Sequence, residues 1–163
     1  MSAINYEEEV LRGIEAAANP MDDPGARCQA GGALAANTTP TNQIPIIREW
    51  EYATHRVIAF SKVDSCLGAI QMASSALVRG AHFSMFASGS QFDTAQFDLA
   101  MANAGFQVNL PILYFGGGAA EWIAGLNSNT FHGVAPFPAL LKDAAQKRWI
   151  FEMDNGSFTY HSM

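Results

Sequence analysis

The chain has 163 residues, enough for one domain with a sizeable core. Nearly half of it is apolar (49%), only 15% is charged and the net charge is −6 at pH 7, a low charge density that favours a protein partner or an oligomer. The basic residues are scattered, which excludes nucleic-acid binding as a function class, and membrane insertion is not expected because no apolar run approaches the ~18 residues of a span.

The N-terminal part of the chain, residues 1–44, is predicted to be a helix followed by a long loop. Apolar side chains recur at helical spacing in residues 5–18, and acidic residues fill the first turn, where they suit the helix dipole. Residues 19–44 are rich in proline and glycine, a composition typical of loops. Within that loop, residues 33–36 are expected to form one helical turn at most.

Residues 45–163 are predicted to form the main domain, and apolar runs in its first part indicate strands. The predicted strands are residues 44–52, 55–60, 67–72 and 82–87. For the third of them the alternative is a helix running to Leu77, because alanine and methionine dominate the segment and periodicity does not distinguish the two structures.

The second part of this domain begins with a helix predicted over residues 91–104. Phe97, Ala100 and Met101 line one face of it, and Gly105 ends it. The elements that follow are a strand over residues 108–115 interrupted by Pro111, a helical piece over residues 119–123, a loop over residues 126–138, a short helix over residues 137–146 and a hairpin over residues 148–161. Helices and strands do not alternate regularly, so the predicted fold class is α+β, or a layered α/β/α sandwich.

One cysteine and one histidine stand at the ends of predicted strands. Cys66 follows the strand over residues 55–60, and His82 opens the strand over residues 82–87. A thiol nucleophile needs such an arrangement, with the cysteine on a turn at a strand end and an imidazole on a neighbouring strand to take its proton. The alternative is a buried cysteine and a buried histidine that never meet.

The remaining cysteine and histidines show no comparable pattern. The first residues are acidic, unlike a signal peptide. Cys28 lies in the N-terminal loop, and two cysteines do not make a disulfide framework, so a reducing cytoplasm is the expected location. His55, His132 and His161 are too far apart, with no carboxylate spacing, to indicate a metal site.

Several segments, in this order, resemble the CheD-type chemoreceptor glutamine deamidases. That family shares its fold and its Cys/His site with toxin deamidases of the cytotoxic-necrotizing-factor type. The resemblance covers roughly residues 45–163 and implies a CheD-like α/β/α fold. The matching pieces are Val57-Ile58 leading to Ser65-Cys66, Gly80-Ala81-His82, Ala104-Gly105-Phe106, Phe115-Gly116-Gly117-Gly118, and the hairpin from Arg148-Trp149-Ile150-Phe151 to Asn155-Gly156-Ser157.

The chain departs from the family pattern at two places. The family has a threonine six residues before its cysteine that orients the histidine, whereas this chain has Phe60 there and Ser61 next to it. Ser61 is the candidate to accept a hydrogen bond from the imidazole instead. The region between Gly118 and Arg148 is shorter than in the family and lacks the Gly-x-Arg-Asn segment and the Gly-Gly turn.

The resemblance implies hydrolysis of a glutamine side-chain amide in a protein substrate, a chemoreceptor or another protein. Cys66 would attack the carboxamide carbon, and backbone N–H groups at Ser65 and Leu67 would hold the oxyanion. His82 would take the thiol proton, give it to the departing ammonia and then activate water to cleave the thioester. No metal or cofactor is expected in this reaction.

Two other functions are compatible with the same residues. The departures from the family pattern favour an inactive relative that keeps the fold as a protein-binding module. A different cysteine hydrolase, such as a peptidase, would pair Cys66 with His132 or His161. Residues 116–118, three glycines before a predicted helix, are interpreted as close packing or a turn near the site rather than a phosphate cradle.

Overall fold

The computed structural model describes residues 34–39, 43–60, 63, 66–83, 94–116, 131, 149–154 and 156–162. This part of the chain is a mixed α/β structure made mostly of strands, with one helix. The elements are β1 (Ala35–Ala36), β2 (Ile46–Ile47), β3 (Glu51–His55), β4 (Val57–Phe60), β5 (Leu67–Met72), β6 (Val78–Phe83), α1 (Thr94–Asn103), β7 (Leu113–Phe115), β8 (Trp149–Asp154) and β9 (Ser157–Ser162).

The strands form two sheets. The five-stranded sheet has the order β1-β3-β6-β5-β7, and the four-stranded sheet has the order β2-β4-β8-β9. Two pairs are parallel, β1 with β3 and β2 with β4. The other pairs are antiparallel. Consecutive strands β2 to β5 alternate between the two sheets, so the chain crosses from one sheet to the other repeatedly.

An apolar core joins the two sheets. Successive side chains of a strand point to opposite faces, so Ile70 of β5 faces the four-stranded sheet while Leu67 and Ala69 face away from it. The cluster between the sheets contains Ile47, Ile58, Phe60, Val63, Cys66, Ile70, Val78, Leu113, Phe115, Trp149, Phe151 and Met153. Burial of such a cluster is the main favourable contribution to folding.

The helix α1 covers the other face of the five-stranded sheet. Phe97, Ala100 and Met101 are buried against Leu67 and Phe83, as helical periodicity predicted. The helix ends before Gly105, which has a positive φ. Its packing places a helical layer on the sheet that carries β5 and β6.

The centre of the inter-sheet core is aromatic. The Phe115 ring lies 4.8 Å from the rings of Phe60 and Phe151 and 5.2 Å from that of Trp149, measured between centroids. The ring needs the space above Gly68, where a Cβ atom would lie 2.0 Å from Phe115 Cζ. Gly68 therefore determines how closely β7 packs against β5.

The strand predicted over residues 44–52 is wrong as a single element. Ile46–Ile47 pairs with β4 in the four-stranded sheet, and Glu51–His55 pairs with β6 in the five-stranded sheet. A turn at Glu49 and Trp50 separates them, and Trp50 has a φ of 63°. The strand prediction ran through this turn because Trp50 is an aromatic residue of a type favoured in strands, and it is itself a core residue.

Three further expectations need correction, and two are confirmed. Residues 35–36 form a short strand rather than a helical turn, since Ala35 N–H donates to Trp50 C=O at 2.9 Å. The strand containing His82 begins at Val78, so the histidine lies near its described end. The strand expected over residues 108–115 is limited to Leu113–Phe115. Residues 67–72 are a strand, not a helix, and the closing hairpin pairs as predicted.

The shortened strand β7 has an identifiable cause. The side-chain amide of buried Gln71 donates to the carbonyls of Gln107 and Leu110 at 2.8 and 3.1 Å, and its oxygen accepts from the Gln107 N–H at 2.8 Å. These contacts fix residues 107–110 as a turn. The helices predicted over residues 5–18, 119–123 and 137–146 and the loop over residues 126–138 lie outside the described residues, apart from Phe131 in the loop.

Candidate functional site

The topology brings two connections together at one end of the sheets. Because β2 and β4 are parallel neighbours, with Ile47 opposite Phe60, both strands end at the same level. Each connection then crosses to the five-stranded sheet, the first through residues 48–50 to β3 and the second between Phe60 and the start of β5 at Leu67. Glu49 and Cys66 therefore come from two separate crossings at the same end of the molecule.

His82 lies between these two crossings. Strand β6 has β3 on one side and β5 on the other, and His82 is opposite Glu51 in β3 and Gly68 in β5. Its ring points into the space between the sheets, on the same face as Val78, and lies 6.0 Å from the Phe60 ring. The carboxylate oxygen of Glu49, Cys66 Sγ and a ring nitrogen of His82 lie within 4.8 Å of one another.

The His82 imidazole is oriented by a backbone carbonyl. Nδ1 lies 3.2 Å from Ile47 C=O, and because a carbonyl only accepts hydrogen bonds, Nδ1 carries the proton. The side chain is completely buried. Burial lowers the pKa of His82 from 6.5 to about 4, although the bond to Ile47 and the charge of Glu51 act in the opposite direction. The imidazole is therefore neutral at pH 7.

The Cys66 thiol faces a carboxylate as well as the imidazole. Cys66 is 4% exposed, and its Sγ–H donates to Glu49 Oε1 at 3.6 Å. A carboxylate beside a thiol favours the protonated S–H over a standing thiolate anion, because like charges repel. The thiol proton thus has a nearby carboxylate acceptor and a nearby imidazole acceptor.

A strained turn holds Glu49 in place. Glu51 N–H donates to Arg48 C=O at 3.0 Å, which closes a turn whose third residue, Trp50, has a φ of 63°. Positive φ at this position is the signature of a type II turn and usually requires glycine or asparagine. For a bulky residue such a φ costs on the order of 1–3 kcal/mol. The indole is 3% exposed and meets the Phe83 ring edge-on at 5.7 Å, and this burial offsets the cost.

The buried carboxylate of Glu51 fastens the same turn. Its Oε1 accepts from Arg48 N–H at 2.9 Å and from the Asn37 side-chain amide at 3.1 Å. Asn37 also donates to Ile46 C=O at 3.0 Å, and Trp50 N–H donates to His82 C=O at 2.7 Å. These bonds connect Asn37, the turn and β6, so the backbone of Glu49 has a fixed position relative to His82.

Gly116 packs directly against the cysteine backbone. Its φ is 110°, and a Cβ atom there would lie 2.6 Å from Cys66 C=O and 2.6 Å from a methyl of Val63. Only glycine fits such a position without displacing the backbone. Close packing near the site, the expectation for the glycine run, is confirmed for Gly116; residues 117–118 lie outside the described residues.

The structure brings two of the predicted site residues together. Cys66 and His82 lie in one cluster, so the alternative in which they never meet is wrong. Leu67 is in β5 with its side chain in the cluster beneath α1. His161 is on β9 opposite Ile150. Ser61, Ser65 and His132 fall outside the part of the chain that the structure describes.

Two contributors were missed from the sequence. Glu49 is 17 positions from Cys66, a separation that matches no motif. The Ile47 carbonyl is a backbone group, which every residue has, so no sequence pattern identifies it. A detectable signal was the polar stretch Arg48-Glu49-Trp50-Glu51 interrupting an apolar run. Read as a turn, it would have placed an acidic side chain at the end of β2.

Comparison with protein-family models, curated proteins and solved structures finds no match for this chain. Among the described residues, no helix has the length and apolar character needed to cross a membrane.

Proposed function

We propose that the chain is a cysteine-dependent amidohydrolase that converts a protein glutamine to glutamate, on a CheD-like α/β/α fold. The observation that carries the proposal is the approach of the Cys66 thiol to a neutral, carbonyl-oriented imidazole on the same end of the sheet. The CheD-type sequence pattern around Cys66 and His82 supports the choice of a glutamine amide as the substrate group. The small number of cysteines supports a cytoplasmic location.

The first step follows from the protonation states of the site. Nδ1 of His82 is engaged by Ile47 C=O, so Nε2 takes the thiol proton. Keeping His82 protonated at pH 7 before the reaction costs roughly 4 kcal/mol, because the pKa of the buried imidazole is about 4. Proton transfer to His82 therefore accompanies attack of Cys66 Sγ on the carboxamide carbon, with the negative charge developing on the amide oxygen.

The negative charges around the imidazole assist once it is protonated. Glu51 faces His82 across β3 and β6, and Glu49 lies within 4.8 Å of the ring. The imidazolium gives its proton to the departing ammonia as the C–N bond breaks, leaving a thioester on Cys66. Neutral His82 then takes a proton from water, which attacks the thioester, and the thiol is regenerated with release of glutamate.

The proposal is tested by thiol reactivity and by ammonia release. In a Cys28→Ser background Cys66 is the only thiol, so iodoacetamide labelling followed by mass spectrometry reports on it alone. The matched variant is His82→Asn, whose side-chain amide keeps a donor for Ile47 C=O. We expect labelling at neutral pH, and ammonia release from a blocked glutamine dipeptide or casein, to fall at least tenfold in His82→Asn. Release should be abolished in Cys66→Ser.

Labelling that is indifferent to His82, together with ammonia release that survives Cys66→Ser, would overturn the proposal. The protein-binding module is the second candidate, and one observation favours it. Cys66 and His82 are only 4% and 0% exposed, and the thiol already donates to Glu49. That function predicts a thiol that is inert to iodoacetamide in the native protein and reacts only after denaturation.

A further inference from the structure

Glu49, Cys66 and His82 present three kinds of donor atom to one point. A carboxylate oxygen, a sulfur and an imidazole nitrogen all lie within 4.8 Å of one another, and these are the ligand types of zinc sites. Tetrahedral bonds of ~2.3 Å to sulfur and ~2.1 Å to oxygen place those two atoms about 3.6 Å apart. Cys66 Sγ and Glu49 Oε1 are separated by 3.6 Å.

The surroundings of the cluster suit a divalent cation. Metal-binding histidines typically donate their other ring N–H to a carbonyl or carboxylate, which fixes the tautomer and the ring orientation. His82 has this arrangement, because Nδ1–H donates to Ile47 C=O and Nε2 is the nitrogen on the far side. A thiolate and a carboxylate together supply two negative charges, which balance a 2+ ion.

The ligands also come from firmly placed backbone. His82 is held in the register of β6 between β3 and β5, and Cys66 is confined by Gly116. Glu49 lies on the turn that Glu51 fastens. Of the three, the half-buried Glu49 is the one that can rotate to complete a coordination shell.

We propose that a zinc-type divalent cation binds Glu49, Cys66 and His82 and, while bound, blocks the Cys66 nucleophile. The metal displaces the proton of the Cys66 thiol, which is released to solvent, and a water molecule fills the fourth coordination position of the metal. The sulfur and nitrogen ligands select against Mg²⁺ and Ca²⁺, which prefer oxygen. The blocking half of the proposal rests on the proposed amidohydrolase function, whereas the binding half does not.

The binding half is tested with Co²⁺ as a spectroscopic substitute for zinc. The full chain, in the Cys28→Ser background and freed of metal with a chelator, is titrated with cobalt chloride. We expect a near-ultraviolet thiolate-to-cobalt charge-transfer band that saturates at one equivalent and is displaced by Zn²⁺ but not by Mg²⁺. Cys66→Ser should abolish the band, and Glu49→Gln should weaken cobalt affinity by about tenfold or more.

Glu152→Gln is the matched control, because Glu152 is a partly exposed carboxylate whose described partner is Arg56. Its cobalt affinity should equal that of the parent. Circular dichroism verifies that each variant is folded. If Cys66→Ser does not fold, the cobalt affinity of Glu49→Gln still tests the site. Absence of the band in the parent, or equal affinity in Glu49→Gln and Glu152→Gln, would overturn the site.

The blocking half is tested on the same sample. One equivalent of Zn²⁺ should reduce both iodoacetamide labelling and ammonia release at least tenfold, and chelator should restore them. A cobalt band with unchanged labelling in zinc would overturn the blocking half. If the metal-free chain releases no ammonia, the amidohydrolase function fails while the cobalt band still reports the metal site, so the two failures are distinguishable.

Discussion

Acidification should destabilise the metal-free protein through His82. In the unfolded chain the imidazole has its ordinary pKa of 6.5, and in the folded chain burial lowers it to about 4. Between these values the unfolded state binds a proton that the folded state does not, so the free energy of unfolding falls as pH falls. The contribution of neutral His82 is fully present above about pH 6.5 and is lost as pH approaches 4.

The size of the effect follows from the two pKa values. At 1.36 kcal/mol per pKa unit, the whole difference corresponds to roughly 3 kcal/mol. Most of it, about 2 kcal/mol, is lost between about pH 7 and about pH 4.5. Against a typical stability of 5–15 kcal/mol for a domain this is a large fraction, and it should be visible without extreme acid.

The assay is urea unfolding followed by tryptophan fluorescence, with chelator present, in the wild type and in His82→Asn. Trp50 and Trp149 are buried and report on the two apolar clusters. Carboxylates titrate in both proteins, so their effect cancels in the difference between the two curves. We expect that difference to change by about 2–3 kcal/mol over this pH range. Parallel curves would refute the reasoning, since they would mean that no proton is taken up at His82 on unfolding.

Two other substitutions test the packing around the site. Gly68→Ala should lower the free energy of unfolding in urea by about 1–3 kcal/mol, because the new Cβ would lie 2.0 Å from the Phe115 ring. Adding Phe115→Leu should recover part of this loss. If the effects of the two substitutions were simply additive, the steric explanation would be contradicted. Gln71→Leu should cost about 1–3 kcal/mol by leaving the Gln107 N–H and two carbonyls without their buried partner. Gln107→Ala, at an exposed side chain, should change stability by no more than ~0.5 kcal/mol, and equal effects of the two would argue against the Gln71 network.

Local patterns predicted the parts of the fold that local interactions determine. The hairpin of β8 and β9 has the turn sequence Asp154-Asn155-Gly156 between two segments containing aromatic residues, and α1 has a buried face at helical spacing, so both were predictable. The approach of Cys66 to His82 was expected from the resemblance to the CheD-type pattern, whereas spacing along the chain alone favoured two residues that never meet. The pair forms because Cys66 precedes β5 and His82 lies on the antiparallel neighbour β6.

The remainder of the site depends on features that sequence patterns do not encode. A type II turn is normally recognised by glycine or asparagine, and here Trp50 takes that position because core burial stabilises it. Without that turn, Glu49 falls in the middle of a predicted strand and has no assigned partner. The Ile47 carbonyl that orients His82 belongs to the other sheet, so its role follows only from the pairing of β2 with β4.

The division of the cluster between two sheets gives it a mechanical property. His82 moves with the five-stranded sheet, whereas the carbonyl that orients it is in the four-stranded sheet, and Glu49 and Cys66 lie on the connections between them. A slide of one sheet over the other by about 1 Å would lengthen the bond to the imidazole and pull the thiol and carboxylate away from it. The geometry of the cluster therefore depends on how the two sheets are aligned. A ligand that binds all three side chains would restrain movement of one sheet relative to the other.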